Sequence, residues 1–156
     1  MTQARWLDER EQRAWRSLMT MQDGLSEFIE RRLRTRCGLS HPDYQVLAHL
    51  SEASEGRLRS FELGGLLRWE KSRLSQHLGR MQNRGLVTRE RSLTDQRGAV
   101  VSITAQGADL IKAAAVQHVS DVREAFIDQL TEDELDLLTV VGDKVRERLA
   151  GLNQSP

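Results

Sequence analysis

The stretch Arg68-Trp-Glu-Lys-Ser-Arg-Leu-Ser-Gln-His-Leu-Gly-Arg-Met81 constrains this chain more than any other. Leu74, Leu78 and Met81 recur at steps of four and three, the spacing of a buried helical stripe. Lys71, Ser72, Arg73, Ser75, Gln76 and Arg80 fall on the side turned to water. Arg84-Gly-Leu-Val-Thr-Arg-Glu-Arg91 follows, then Asp95-Gln-Arg-Gly98 and Ser102-Ile-Thr104. Val87 to Ser92 and Ala99 to Ile103 alternate as strands, joined by a turn over Leu93–Gly98. A short helix shaped for the major groove with a basic hairpin beside it is the working part of a winged helix-turn-helix.

Charge supports that reading only when it is resolved along the chain. The formal net charge is zero, with 23 basic and 23 acidic side chains. Residues 56–106 nevertheless hold ten basic side chains against four acidic ones, a net of +6. Residues 107–156 hold five basic and ten acidic, a net of −5, and residues 1–55 sit at −1. A cationic middle between neutral and acidic ends points to one surface built to meet phosphates.

A chain of 156 residues is expected to form one compact unit with room for a genuine core. It has no run of about 18 apolar residues, so no membrane partner is expected, and its first residues lack the apolar segment of a secretory signal. The single cysteine, Cys37, excludes an internal disulfide framework and suits a reducing cytoplasm.

The periodicities order the rest. Trp15, Leu18, Met19, Leu25, Phe28, Ile29 and Leu33 form a helical stripe from about Asp8 to Arg36, stopped by Gly38. Ser40 is the candidate cap of a second helix, with Pro42 in its first turn, Asp43 closing a capping box, and Tyr44, Leu47 and Leu50 inward. Ser51–Arg57 reads as a polar connection. Ser60 is expected to cap a third helix burying Phe61, Leu63, Leu66 and Leu67. Gly64 and Gly65 inside it each cost roughly 1 kcal/mol relative to alanine, acceptable where two helices cross closely. The fourth helix runs from about Glu70 to Asn83. Thr104 caps a long helix carrying Ile111, Ala115, Val119, Val122, Phe126 and Leu130. Thr131-Glu-Asp-Glu134 is a second capping box, opening a last helix with Leu135, Leu138, Val141, Val145 and Leu149 on one side. Gly151 to Pro156 is expected to fray.

The expected fold is therefore mostly α with a small β-wing. A winged helix-turn-helix lobe over about 41–104 is combined with long N- and C-terminal dimerisation helices over about 8–36 and 107–150. The first helix would be a rod of about 43 Å, whereas a compact domain of this size has a radius of gyration of about 15 Å. Such a rod exposes an apolar seam, and pairing the terminal helices of two chains would bury it, which predicts a homodimer.

In this order and spacing the chain resembles the MarR family of bacterial transcription regulators over roughly Trp15 to Leu149. The residues that carry the resemblance are Gly85-Leu-Val after the fourth helix, Asp95-x-Arg97 in the wing, and Ile103-Thr104-x-x-Gly107 beyond it. The resemblance implies a homodimer docking two winged helices on a palindromic operator in double-stranded DNA, most often as a repressor. It aims Ser72, Arg73, Ser75 and Gln76 at base edges. The chemistry agrees, since arginine can donate two bonds to guanine and glutamine can read adenine. Lys71 and Arg80 are expected at phosphates, while His77 could reach a phosphate or simply pack. Arg97 matches the family's minor-groove arginine and Asp95 the residue that orients it; a narrow A·T-rich groove favours arginine electrostatically. Arg89 and Arg91 are expected to face the backbone. Trp69 is expected to lock the helix-turn-helix corner, with ligand stacking the alternative.

The family also implies a small-molecule effector in a crevice between dimer helices and lobe, placed by position at Trp15, Met19, His41 and Tyr44; each of these also reads as plain core or cap. Cys37, near Arg34 and Arg36, reads as a structural thiol, with oxidant sensing the alternative. The four histidines pair with no acidic residues at ligand spacing, so no metal or other cofactor is expected. No catalytic motif stands out, and the chain is not expected to be an enzyme. The competing reading is a winged-helix homodimer serving as a protein-interaction scaffold.

Overall fold

A computed structural model describes residues 5–91 and 98–153. The chain divides into two compact units, residues 1–118 and 119–156.

In the first unit α1 runs Glu9–Cys37, α2 His41–Glu52, α3 Ser60–Leu67 and α4 Lys71–Asn83, and α5 begins at Ala105. Three strands, β1 (Arg57–Arg59), β2 (Val87–Arg91) and β3 (Ala99–Ile103), form an antiparallel sheet in the order β1-β3-β2. The register sets Leu58 and Arg89 on either side of Val101. Strand β1 lies partly in the segment expected to be a polar connection. Three residues carry no periodicity, and only pairing with β3 makes them a strand.

The helix ends follow their capping chemistry. Asp8 accepts the Glu11 N–H at 2.8 Å while Glu11 accepts the Asp8 N–H at 2.9 Å, so two orphan donors are satisfied at the start of α1. Gly38 ends α1 in the left-handed region at φ 65°. Ser40 and Asp43 close the same box on α2. At α3 the expectation shifts by one residue: Arg59 is the cap and Ser60 is already helical, its hydroxyl donating to the Ala99 carbonyl at 3.0 Å.

The core is built from Leu39, Val46, Leu47, Leu50, Leu63, Leu74, Leu78, Met81, Leu86, Val87, Val101, Ile111 and Ala114. Of the α3 residues expected inside, Leu63 is fully buried and Leu67 packs partly, but Phe61 is 64% and Leu66 55% exposed. An eight-residue helix turns only one narrow face to its neighbours. The two glycines of α3 are not demanded by close packing. A Cβ on Gly64 would make ordinary contact with Leu74 and the Trp69 carbonyl at 3.5 Å, and one on Gly65 would meet nothing.

Around Gly85 and Gly107 the backbone is knitted tightly. Gly85 takes φ 74°, Leu86 N–H donates to the Met81 carbonyl at 3.0 Å, and Thr104 N–H donates to the Leu86 carbonyl at 3.1 Å. The Thr104 hydroxyl donates to the Gly85 carbonyl at 2.6 Å and accepts the Gly107 N–H at 3.0 Å, capping α5. A Cβ on Gly107 would collide with the Leu86 carbonyl oxygen and lie 3.0 Å from Ile103 Cγ1. Gly107→Ala is therefore expected to destabilise the chain by roughly 2 kcal/mol, a typical overpacking cost. An unchanged urea midpoint in that variant would show that the contact yields freely.

Only Ile29 and Leu33 of α1 are buried; Trp15, Leu18 and Met21 lie open to solvent. In the second unit α5 continues to Ala125, a 3₁₀ turn spans Ile127–Gln129, and α6 runs Glu132–Asn153. Thr131 and Glu134 cap α6 reciprocally, at 2.9 and 3.3 Å. The helix extends through Gly151 and Leu152, where fraying was expected. No residue of α6 is buried, and Leu138, Val141, Val145 and Leu149 are exposed along one face.

Candidate nucleic-acid interface

Helix α4 is strongly two-faced. Leu74, His77, Leu78 and Met81 are buried, whereas Lys71, Ser72, Arg73, Ser75, Gln76 and Arg80 are all exposed. The structure thus brings together on one helix six of the residues expected to meet DNA. Glu70 is its N-cap, without a side-chain bond, and α3 ends at Arg68 in the left-handed region with φ 55°. That turn sets Trp69 beneath α4.

What holds α4 in place is a buried polar hub centred on Asp43, which is 3% exposed. Arg84 donates to Asp43 Oδ2 at 2.6 Å and to the Gly38 carbonyl at 2.9 Å. Ser40 N–H donates to the same Oδ2 at 3.0 Å. His77 Nε2 lies 2.9 Å from Asp43 Oδ1, and Arg80 reaches His77 Nδ1 at 3.1 Å. Because guanidinium only donates, Nδ1 is the acceptor in that contact, and the ring's other nitrogen is turned toward the carboxylate. Burial alone would push the Asp43 carboxyl up. The bonds from His77, Arg84 and Ser40 outweigh it and hold the group well below the ordinary carboxylate range. His77 therefore belongs to the packing and bonding of the lobe. His77 takes the packing role, one of the two expected of it, whereas the Arg84 role and the link of both to Asp43 are not legible in the sequence. Asp43 was read only as a capping residue, and its partners lie 34 and 41 positions away.

A smaller link joins α1 to α2. Glu30 accepts the His41 N–H at 2.7 Å and pairs with Arg34 at 2.6 Å. Burial raises the Glu30 carboxyl, but these partners prevail and its pKa is lowered. A cleft of about 630 Å³ opens between these elements and α4, and Arg34, Arg73, Arg80 and Arg84 line it beside Glu30 and Asp43.

The wing strand contributes differently from expectation. Arg89 reaches back over α4, donating to Gln82 at 2.9 Å and to the Ser75 carbonyl at 3.1 Å. It braces the helix from the sheet side. Arg91 is exposed at the end of β2. Asp95 and Arg97 lie outside the described residues. Trp69 does lie in the helix-turn-helix corner, half-buried, with its ring edge-on to His77.

The four residues placed in an effector crevice do not converge within one chain. Trp15 is 55% exposed and Met19 half-buried on α1, while His41 and Tyr44 sit at the start of α2. Since Glu30 touches His41, Met19 is about 16 Å and Trp15 about 22 Å further up the same helix. Tyr44 packs instead against His118, the rings tilted with centroids 4.5 Å apart. Its hydroxyl pKa is raised by burial and then by the Glu52 charge. A pocket combining all four would need the α1 of a second copy. Among the described residues no three His, Cys, Asp or Glu side chains gather as a metal site, and no helix is long and apolar enough to cross a membrane.

Comparison with known proteins gives the same architecture. A family model described as the MarR family matches residues 38–98. The structure superimposes on AbsC, a MarR family transcriptional regulator from Streptomyces coelicolor, with a TM-score of 0.90 and 36% identity, covering 95% of this chain and 99% of that one. Sco3205 from the same organism, a MarR family regulator solved in complex with DNA, gives a TM-score of 0.89 and 33% identity over 96% of this chain and 93% of that one. The Escherichia coli HTH-type transcriptional regulator PrsX is 27% identical over 129 residues, 83% of this chain and 74% of that protein.

Proposed function

Since the chain belongs to the MarR family of transcriptional regulators, we propose that it binds a palindromic DNA operator as a homodimer, represses transcription from it, and is modulated by a small-molecule effector. The observation that carries the DNA-binding part is the polar face of α4, solvent-open along its length and braced from below by Asp43 and from the side by Arg89. A helix presented in this way needs little reordering on docking. Arg73, Gln76, Ser72 and Ser75 are the base-reading set, and Lys71, Arg80 and Arg91 meet phosphates. Arg97, oriented by Asp95, enters the minor groove. Arg89 acts chiefly by holding α4.

The dimer reading rests on apolar surface. Trp15, Leu18 and Met21 on α1 and the Leu138–Leu149 face of α6 are exposed in a single chain. A second copy supplies the matching surface by symmetry. Two lobes then occupy half-sites about 34 Å apart, and an effector that changes that separation releases the operator. The α1/α2/α4 cleft suits an anionic effector, because Arg73 and Arg80 line it and would be drawn from DNA.

Gel shifts on a duplex selected from the regulator's own promoter region test the assignment. Arg73→Ala and Arg97→Ala are each expected to weaken specific binding roughly tenfold to a hundredfold. Affinity should also fall steeply with salt. Wild-type affinity in both variants would remove these contacts. Purified chain that ignores duplex but captures an acidic protein surface would favour the scaffold reading.

A further inference from the structure

Trp69 does more in this structure than fill a corner. The Arg73 guanidinium carbon sits 4.3 Å from the centroid of the Trp69 ring, a cation–π distance. Among the described residues no hydrogen bond or ion pair competes for that guanidinium. The ring is itself fixed. It is half-buried against the core, edge-on to His77 at 5.3 Å, and its backbone N–H is bonded to the Gly64 carbonyl at 3.0 Å. His77 in turn is clamped between Asp43 and Arg80. A continuous set of contacts therefore runs from the buried carboxylate to the one exposed arginine in the base-reading set.

We propose that Trp69 is a positioning residue for base recognition, stacking on Arg73 so that its guanidinium is aimed before DNA arrives. This rests on the DNA-binding reading above. Stacking occupies the flat face of the guanidinium, whereas its hydrogen bonds leave in the plane. Arg73 can therefore keep the tryptophan and still present two donors to the O6 and N7 of a guanine. An unstacked arginine would have to be ordered on each encounter, and a mobile side chain discriminates among bases less sharply. Trp69 itself touches no base.

The test selects preferred duplexes from a random library with the wild type, R73A, W69M and W69F, all as full-length chain. Trp69→Met keeps apolar bulk without an aromatic face, and Trp69→Phe restores a face. R73A should become indifferent at one base pair per half-site. W69M should lose preference at that same base pair by about two- to fivefold, the usual strength of an exposed cation–π contact. W69F should recover much of it, and the salt dependence of all four should match. Loss of packing alone would instead lower affinity for every sequence equally.

A W69M motif identical to wild type, with R73A degenerate, overturns this inference and leaves the DNA reading standing. A wild type that selects no motif overturns both. If W69M does not fold, the free wild type decides by NMR. Arg73 δ-methylene protons displaced upfield by the indole ring current, together with a W69F motif close to wild type, support the proposal. Undisplaced protons refute it.

Discussion

Replacing Asp43 by alanine is expected to cost the folded chain about 3 kcal/mol, the lower end for breaking a buried ion pair. The carboxylate is 4% exposed in its side chain, and its loss strands the Arg84 guanidinium and the Ser40 N–H and removes the carboxylate that His77 Nε2 faces. The figure stays at the lower end because the Arg84 side chain is 43% exposed and can turn to water. Asp43→Asn separates charge from shape, since it keeps the volume and some of the bonds. The folded pKa is depressed, so ionised Asp43 stabilises fully above the unfolded carboxylate value of about 4. That contribution is lost as pH falls further, toward the folded pKa. The stability gap between wild type and D43N should therefore be widest near pH 6 and narrow steadily below pH 4. Urea midpoints across that range measure it. A gap that does not change with pH would mean the hub works without its charge. Because His77 and Arg84 lie within and just beyond α4, D43A should also loosen the reading helix and lower operator affinity even where the chain remains folded.

An aspartate in place of Val141 should turn the proposed dimer into a monomer and reduce operator affinity by at least about a hundredfold. Val141 is 48% exposed in the single chain, central to the Leu138, Val145 and Leu149 face of α6. A carboxylate buried there without a partner is far costlier than the lost methyls. Once the dimer separates, each lobe binds its half-site alone, and the effective-concentration advantage of two linked lobes, about 10²–10⁴, disappears. Asp136→Ser, on the opposite side of the helix, is the control and should change neither property. Sedimentation equilibrium and a gel shift on the same samples give the answer. A V141D chain that stays dimeric would place the partner surface elsewhere.

The parts legible from sequence were those governed by neighbours along the chain. The Ser40 and Thr131 capping boxes, the Gly38 stop and the Thr104 cap all appear where their residue types require. Each involves groups three or four positions apart, whose geometry is dictated by one turn of helix. The two-faced pattern of α4 was equally plain, because a period of 3.6 needs no tertiary knowledge. Contacts across long separations were not legible. Strand β1 exists because β3 lies beside it. Phe61 and Leu66 are apolar, yet α3 is too short to bury them all. Arg89 alternates as a strand residue should, but whether it turns to DNA or to α4 depends on where the sheet lies against that helix.

By itself, then, the order of residues determined which segments are helical, most of the caps that start or stop them, and which side of α4 meets solvent, since local hydrogen bonding and hydrophobic period act within a few residues. Only the tertiary structure decided that a helix-capping carboxylate would also anchor an arginine 41 positions on. The same holds for a corner tryptophan beneath the reading arginine and for Trp15 and Met19, which stand a long way from His41 and Tyr44. Those outcomes depend on how packed elements approach in space, and no periodicity encodes that distance.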